Sequence, residues 1–232
     1  VGSSANTTAT NSIALGYQSS VSATNSMALG YQASVAVPNE VYLGNSSVTS
    51  IGGIVNWTAT SDQRFKTSVK DNVVGLKFID RLRPVTYQYD ANLLHQTLRR
   101  EEAPEDLKEA LTDKSKIRYS GFLAQEVEAA SQEVGYDFSG IDAPSNEEDI
   151  YGLRYAEFVV PLVKAAQELH QEVEDQEHLI DQQQLLYSAY QKELSSYKSA
   201  FEKLAQKVER MEALVKQEQE KKHPTLSMKD DD

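Results

Sequence analysis

The 232-residue sequence has no cysteine, which excludes disulfides, thiol catalysis and cysteine-ligated metals. Basic residues are scarce: 23 Lys and Arg stand against 35 Asp and Glu, for a net charge of −12 and a pI near 4.8. Phosphate backbones are bound by clustered Lys and Arg. No such stripe is present, so nucleic acid is not an expected partner. Long hydrophobic runs are also missing. The longest, from Phe158 to Val163, is broken by Pro161 and is far shorter than a membrane span, so no membrane partner is expected. The chain opens with small polar residues rather than a basic and then apolar leader. It begins inside a repeat pattern, and the expectation is a piece of something longer.

Hydrophobic residues make up 40% of the chain and its mean hydropathy is −0.52, low for filling one large core. They gather in patterned stretches, as in a protein whose core forms between chains. The first pattern is a repeat: Ala9–Ser22 reads ATNSIALGYQSSVS and Ala23–Ala36 reads ATNSMALGYQASVA. Gly16, Gly30 and Gly44 are each 14 residues apart, the third copy being degraded. A short fixed period marks a solenoid whose coils stack. Ile13 and Leu15, with Met27 and Leu29, are expected to form the inward strand face, and glycine the turn after it. The repeat resembles the β-roll heads of trimeric adhesins and phage fibre shafts.

Residues 51–60 form a glycine-containing transition holding the one tryptophan, Trp57. A mixed α/β segment follows. Leu76, Ile79 and Leu82 are spaced for a short helix stopped by Pro84. Val85–Tyr89 alternates like a strand, with 117–122 as its partner, and a second helix runs through Leu123, Val127 and Ala130. Between the strands, 91–116 is long and charged, with a helix expected over Glu105–Leu111; it reads as either a protruding arm or a mobile loop.

Glycine and proline are absent between Leu162 and Lys222. There the positions Leu162, Ala166, Leu169, Val173, Gln176, Ile180, Gln183, Tyr187, Tyr190, Leu194, Tyr197, Phe201, Leu204, Val208, Met211 and Val215 alternate in steps of three and four. Such a repeat predicts a left-handed coiled coil, on the order of 85 Å long at about 1.5 Å per residue. A helix folded back near Ser195 is the alternative, although nothing breaks the pattern there. The aromatic seam residues are bulky for two strands and favour three or more. Gln176 and Gln183 weaken the seam but can set register and strand number.

The chemistry-bearing motif is Ser61-Asp-Gln-Arg-Phe-Lys66. A serine hydroxyl is a poor nucleophile until a base removes its proton. No histidine is near in sequence, so a neutral lysine is the obvious base; burial and the charge of Arg64 would both favour that form. A spacing of five places the side chains about 140° apart on an ideal helix. The serine is therefore expected on a bend, or the pair is completed by a neighbouring chain. By itself the motif also fits an ordinary Ser-Asp turn followed by a solvated lysine.

Four blocks in order place this motif in a wider pattern: Ser61-Asp62-x-Arg64-x-Lys66, Leu82-Arg-Pro-Val-Thr-Tyr87, Gly121-Phe-Leu-Ala-Gln-Glu-Val127, and Tyr155 followed by Val160-Pro-Leu-Val-Lys-Ala165 and Glu168-Leu169. Together they resemble the C-terminal intramolecular chaperone domains of phage tail fibres and endosialidase tailspikes, a self-cleaving serine–lysine peptidase family. Members often have a proline soon after the third block, where this chain has Ser131-Gln132.

The resemblance implies that Ser61 and Lys66 are the catalytic dyad, acting once a trimer has formed. The chain would be cut next to the serine, at Thr60–Ser61 or at Ser61–Asp62. Asp62 and Arg64 would have only a local positioning role. No cofactor and no metal are implied. The partners expected are two further copies of the chain and the upstream fibre shaft of the same chain. The location expected is a virion tail-fibre precursor assembled in the host cytoplasm, whose chaperone part leaves after cleavage.

The expected architecture is a mixed, elongated homotrimer. β-roll or β-solenoid repeats end the shaft over 1–60, and a small α+β domain spans 61–155 with a protruding insertion at 91–116. A trimeric coiled coil fills 156–222 and an acidic tail 223–232. A non-cleaving structural or receptor-binding fibre tip, with Ser61 an ordinary turn residue, is the main rival. A bacterial adhesin fragment would carry a membrane barrel or stalk, and a membrane-tethered transcription factor a basic DNA-binding region; the sequence has neither mark. His95, His170, His178 and His223 lack ligand spacing, and the runs Glu172–Asp175 and Glu147-Glu-Asp149 read as solvated charge.

Overall fold

The computed structural model describes residues 2–146 and 149–222. The expected acidic tail, 223–232, with His223, and the pair Glu147 and Glu148 lie outside them. The chain divides into two units, Val1–Gln167 and Glu168–Asp232.

The first unit opens with six short strands: β1 (Asn6–Thr7), β2 (Ile13–Leu15), β3 (Ser20–Val21), β4 (Met27–Leu29), β5 (Ser34–Val35) and β6 (Val41–Leu43). They form two parallel sheets, ordered β1-β3-β5 and β2-β4-β6. Ile13 lies opposite Met27 and Met27 opposite Val41, so one coil is one 14-residue repeat. The chain turns twice per coil, through left-handed residues at every seventh position: Ser4, Asn11, Gln18, Asn25, Gln32 and Asn39. Asn adopts that conformation at low cost. Side-chain ladders between coils hold it: Asn25 Nδ2 donates to Asn39 Oδ1 at 2.9 Å, and Gln32 Nε2 to Gln18 Oε1 at 2.9 Å.

The inward face differs from the expected one. Ala28 is fully buried among Val21, Ala33 and Val35, with Ala14 packed against them. Ile13 and Leu15 remain 49% and 45% exposed, on the outside of the coil with Met27 and Leu29. Alternation along a strand puts Ala14 and Ala28 on the opposite face from their large neighbours. The interior is narrow enough that alanine, valine and serine fill it. Its buried hydroxyls find carbonyls: Ser19 Oγ donates to Gly16 O at 2.9 Å and Ser26 Oγ to Val37 O at 3.0 Å.

Beyond the repeat come α1 (Leu76–Ile79), β7 (Val85–Tyr87), α2 (Ala91–Arg99), α3 (Glu105–Ser115), β8 (Tyr119–Gly121), α4 (Ala124–Glu133), β9 (Ile141–Asp142), β10 (Gly152–Leu153) and α5 (Val159–Lys222). β7 and β8 pair antiparallel, Val85 against Gly121 and Tyr87 against Tyr119. The core is aromatic: Phe78, Phe138 and Phe158 are buried with Val127 and Ala130, and Phe122 packs on them. Leu76 and Leu82 are not its centre, because the single turn α1 aims Phe78 inward and ends at Ile79, well before Pro84. α4 starts after Leu123, which is its exposed N-cap, and runs through Ser131 and Gln132. Ser131 is buried and donates to Glu128 O at 2.8 Å.

The insertion 91–116 is neither a protruding arm nor a mobile loop. It is a helical hairpin, α2 against α3, packed on the repeat. Asp90 caps α2 by accepting the Leu93 N–H at 2.9 Å, and the Ser115 hydroxyl accepts the Ala91 N–H at 3.1 Å, closing the hairpin. Ala91, Leu107 and Leu111 are buried together with Tyr31 of the repeat against them.

In the second unit, α5 continues as one helix to Lys222 without folding back. Every residue from Leu169 to Lys221 is exposed, including the seam positions Val173, Ile180, Leu194 and Phe201. An apolar stripe of this length and period is compatible with a coiled coil and needs partners to cover it. No helix among the described residues is long and apolar enough to cross a membrane.

Candidate functional site

Ser61 stands at the end of an irregular, exposed stretch, 51–60, with Ile54, Val55 and Trp57 almost wholly in solvent. A single 3₁₀ turn, Gln63–Phe65, follows. Asp62 caps it, its carboxylate accepting the Arg64 N–H at 2.9 Å, while the Lys66 N–H closes the turn on Gln63 O at 3.1 Å. Lys66 then returns to extended backbone. The reversal brings two side chains together that a helix would hold apart. Lys66 Nζ donates to Ser61 Oγ at 2.7 Å, within one chain.

Asp62 and Arg64 form a two-pronged ion pair: Nη2 meets Oδ2 at 2.6 Å and Nε meets Oδ1 at 3.1 Å. The Arg64 side chain and then its backbone N–H hold the Asp62 carboxyl below its ordinary range, and Asp62 raises the guanidinium in turn. The arginine also lies 5.7 Å from the centre of the Phe65 ring. Its charge is thus engaged by a carboxylate and a ring, which differs from the expected role beside Lys66. The dry pocket anticipated around the lysine is not present either. Residues 61–66 are exposed except for half-exposed Asp62.

The other three blocks, as far as Ala165, meet elsewhere in the first unit. Arg83, ahead of β7, pairs with Glu126 of α4, Nε to Oε2 at 3.0 Å. Tyr155 reaches back so that its hydroxyl accepts the Phe122 N–H at 3.1 Å. Its ring stacks on Phe122 and Phe158, at 6.2 and 5.8 Å between centroids. These contacts tie the strand pair to the start of α5, which carries Pro161 and Ala165 into the core. Sequence reasoning missed Phe78, Phe138 and Phe158 as the centre of this cluster; their signal lies in three-dimensional convergence rather than spacing. It also missed His95. That residue is 1% exposed, and its Nδ1 lies 3.0 Å from Ser46 Oγ. Among the described residues no group of three or more His, Asp or Glu is placed to hold a metal ion.

A strand-pair and helix module thus follows a β-repeat, with an exposed Ser–Lys turn at their junction. Residues 61–136 match the family model described as chaperone of endosialidase. Residues 1–19 and 8–33 match two copies of the YadA head domain repeat. Over these stretches the chain is similar to a self-cleaving chaperone family and, ahead of it, to trimeric-adhesin heads. No curated protein and no solved structure matches the chain. The first match indicates an endosialidase-type chaperone role, and the second points to a trimeric adhesin-type assembly.

Proposed function

We propose that this chain is the intramolecular chaperone end of a phage tail fibre or spike, which trimerises, folds the shaft and then releases itself by cutting beside Ser61. The observation that carries the reading is the 2.7 Å contact between Lys66 Nζ and Ser61 Oγ within the stretch similar to the chaperone family.

In the proposed reaction Ser61 Oγ attacks the carbonyl carbon of Thr60 while neutral Lys66 accepts the hydroxyl proton. The Thr60–Ser61 C–N bond breaks, Lys66 returns the proton to the departing amine, and an ester joins Thr60 to Ser61 Oγ. Water hydrolyses the ester, leaving a carboxylate on Thr60 and the hydroxyl of Ser61. Lysine suits both proton steps only where it is tuned toward neutrality. In a single chain the 61–66 turn is open to solvent. Covering of the 61–66 turn by neighbouring chains would supply the dry surroundings, which makes assembly the trigger. Asp62 and Arg64 hold the turn that sets the Ser–Lys distance and are positioning residues.

The order of events suits the shaft. Interchain β structure forms slowly and exposes strand edges meanwhile. A coiled coil holds the strands together at high effective concentration. Removing it afterwards closes the route back, so that the fibre is protected by slow unfolding.

Mass spectrometry of the purified chain tests the reading. Products 1–60 and 61–232 are expected; products 1–61 and 62–232 would move the cut to the Ser61–Asp62 bond. An intact chain in a properly assembled trimer would instead support a non-cleaving fibre tip.

A further inference from the structure

The bond to be cut and the surface that holds the two halves together are in different places. Residues 51–61 are exposed throughout and pack on nothing that shields them. The hairpin α2–α3 lies on the C-terminal side of Ser61 in sequence, yet its apolar face and several of its polar groups meet residues on the N-terminal side. His95 is buried with Nδ1 at 3.0 Å from the hydroxyl of Ser46. Tyr31 donates its hydroxyl to Asp106 Oδ2 at 3.0 Å and packs against buried Ala91, Leu107 and Leu111. Lys114 Nζ donates to Val48 O at 2.8 Å, and Arg99 reaches Ser20 Oγ at 3.4 Å.

We propose that the α2–α3 hairpin is a clamp on the last coils of the β-repeat, so that cutting at Ser61 leaves the chaperone part seated on the shaft and its departure is a separate, slower step. The proposal rests on the reading that the chain is cut at Ser61. Each of the contacts above joins a residue before the bond to be broken to one after it, and none involves residues 51–61, so hydrolysis severs the tether and leaves the seam intact. Before the cut the seam is intramolecular and the tether keeps the local concentration of the hairpin high. After it, retention depends on the seam alone: one apolar cluster, one buried polar contact and three solvent-accessible polar ones. A seam of that size favours slow dissociation over permanent attachment. In a trimer three such clamps would act together, and the shaft coils would stay covered until all three had opened.

The test separates the clamp from the self-cutting chemistry. A site-specific protease sequence is placed in the exposed 52–58 stretch of the full-length Ser61→Ala chain, so that the tether is cut at will. Native size-exclusion chromatography, followed by denaturing gels of the fractions, reads whether the halves travel together. Co-elution directly after the cut is expected. Tyr31→Ala, on the repeat side, and Leu107→Ala, on the hairpin side, should each shorten the time to separation about tenfold. Circular dichroism identifies a variant that has lost its helices, and the other then decides. Immediate separation of the halves with the native hairpin overturns the clamp, and so does unchanged co-elution with Tyr31→Ala in a folded chain. A wild-type chain that never cuts itself defeats the proposed proteolysis but leaves this measurement readable.

Discussion

The hydroxyl of Tyr155 occupies the space that a side chain at Gly121 would need. A Cβ built on Gly121 would lie 2.2 Å from that oxygen, which is held by the Phe122 N–H and by stacking of its ring on Phe122 and Phe158. The tyrosine cannot swing aside without giving up both. Gly121→Ala should therefore destabilise the first unit by about 1–3 kcal/mol, as overpacking does. Tyr155→Phe, which removes only the hydroxyl, should cost about 1 kcal/mol. Thermal melting followed by near-ultraviolet circular dichroism checks both.

The repeat carries its own version of this constraint. Gly16 has φ of +141°, and a Cβ there would lie 2.2 Å from Gly30 O of the next coil. Backbone cannot yield as a side-chain tip can. Gly16→Ala should break the stacking of the coils, whereas Gly52→Ala, with nothing within 4 Å, should be neutral. Proteolytic sensitivity of residues 1–44 distinguishes the two.

Period was legible in the sequence, and orientation was not. Glycines 14 residues apart announced one coil per repeat because each coil must place its tight approach at the same angular position. Which strand face turned inward depended on the width of the coil, which residue type along one strand does not encode. Large Ile13 and Leu15 misled; Ala28 and Val21 fill the interior. The continuous helix through 222 was legible for the same reason as the period, since no glycine or proline interrupts its apolar stripe. The docked hairpin was hidden because its contacts join residues far apart in sequence, Tyr31 with Asp106 and Ser46 with His95. One local signal was there to read: Asp90 ahead of Ala91, Leu94, His95 and Leu98, a cap followed by one helical face. The Ser61–Lys66 approach was anticipated as a bend, but its solvent exposure was not.

Acid should loosen the hairpin. Burial pushes the His95 imidazole below its ordinary value, Arg99 pushes the same way, and Glu101 opposes them; Tyr42 lines the same pocket. An undocked His95 takes up a proton in the ordinary histidine range, while the docked one resists it to lower pH. The undocked state thus binds more protons in that window. Docking is at full strength above the ordinary range and weakens as pH falls through it towards the depressed docked value. Hydrogen exchange of the α2 amides should accelerate over that interval, and His95→Leu should remove the dependence on pH.

Asp62 should titrate below an ordinary aspartate in the wild-type chain, because Arg64 bonds it through side chain and backbone. Arg64→Ala should return it towards the ordinary value, read by NMR of the carboxyl carbon. The same change should lengthen the mean Ser61–Lys66 distance and slow any cutting without blocking assembly.

Asp substitutions at Leu194 and Phe201 put charge on the seam of α5, where both residues are exposed in a single chain. Light scattering should report three chain masses for the wild type and one for the double variant. The monomeric variant should also remain uncut, since covering of the 61–66 turn by neighbours is lost.

Intact-mass measurement of the wild-type and Lys66→Ala chains, each first shown by light scattering to be assembled, bears most directly on the Ser–Lys pair. The wild type should be found as two pieces divided beside Ser61, and the Lys66→Ala chain whole in an assembly of the same size. An assembled wild-type chain of full mass, or a Lys66→Ala chain cut as fast as the wild type, would contradict the account.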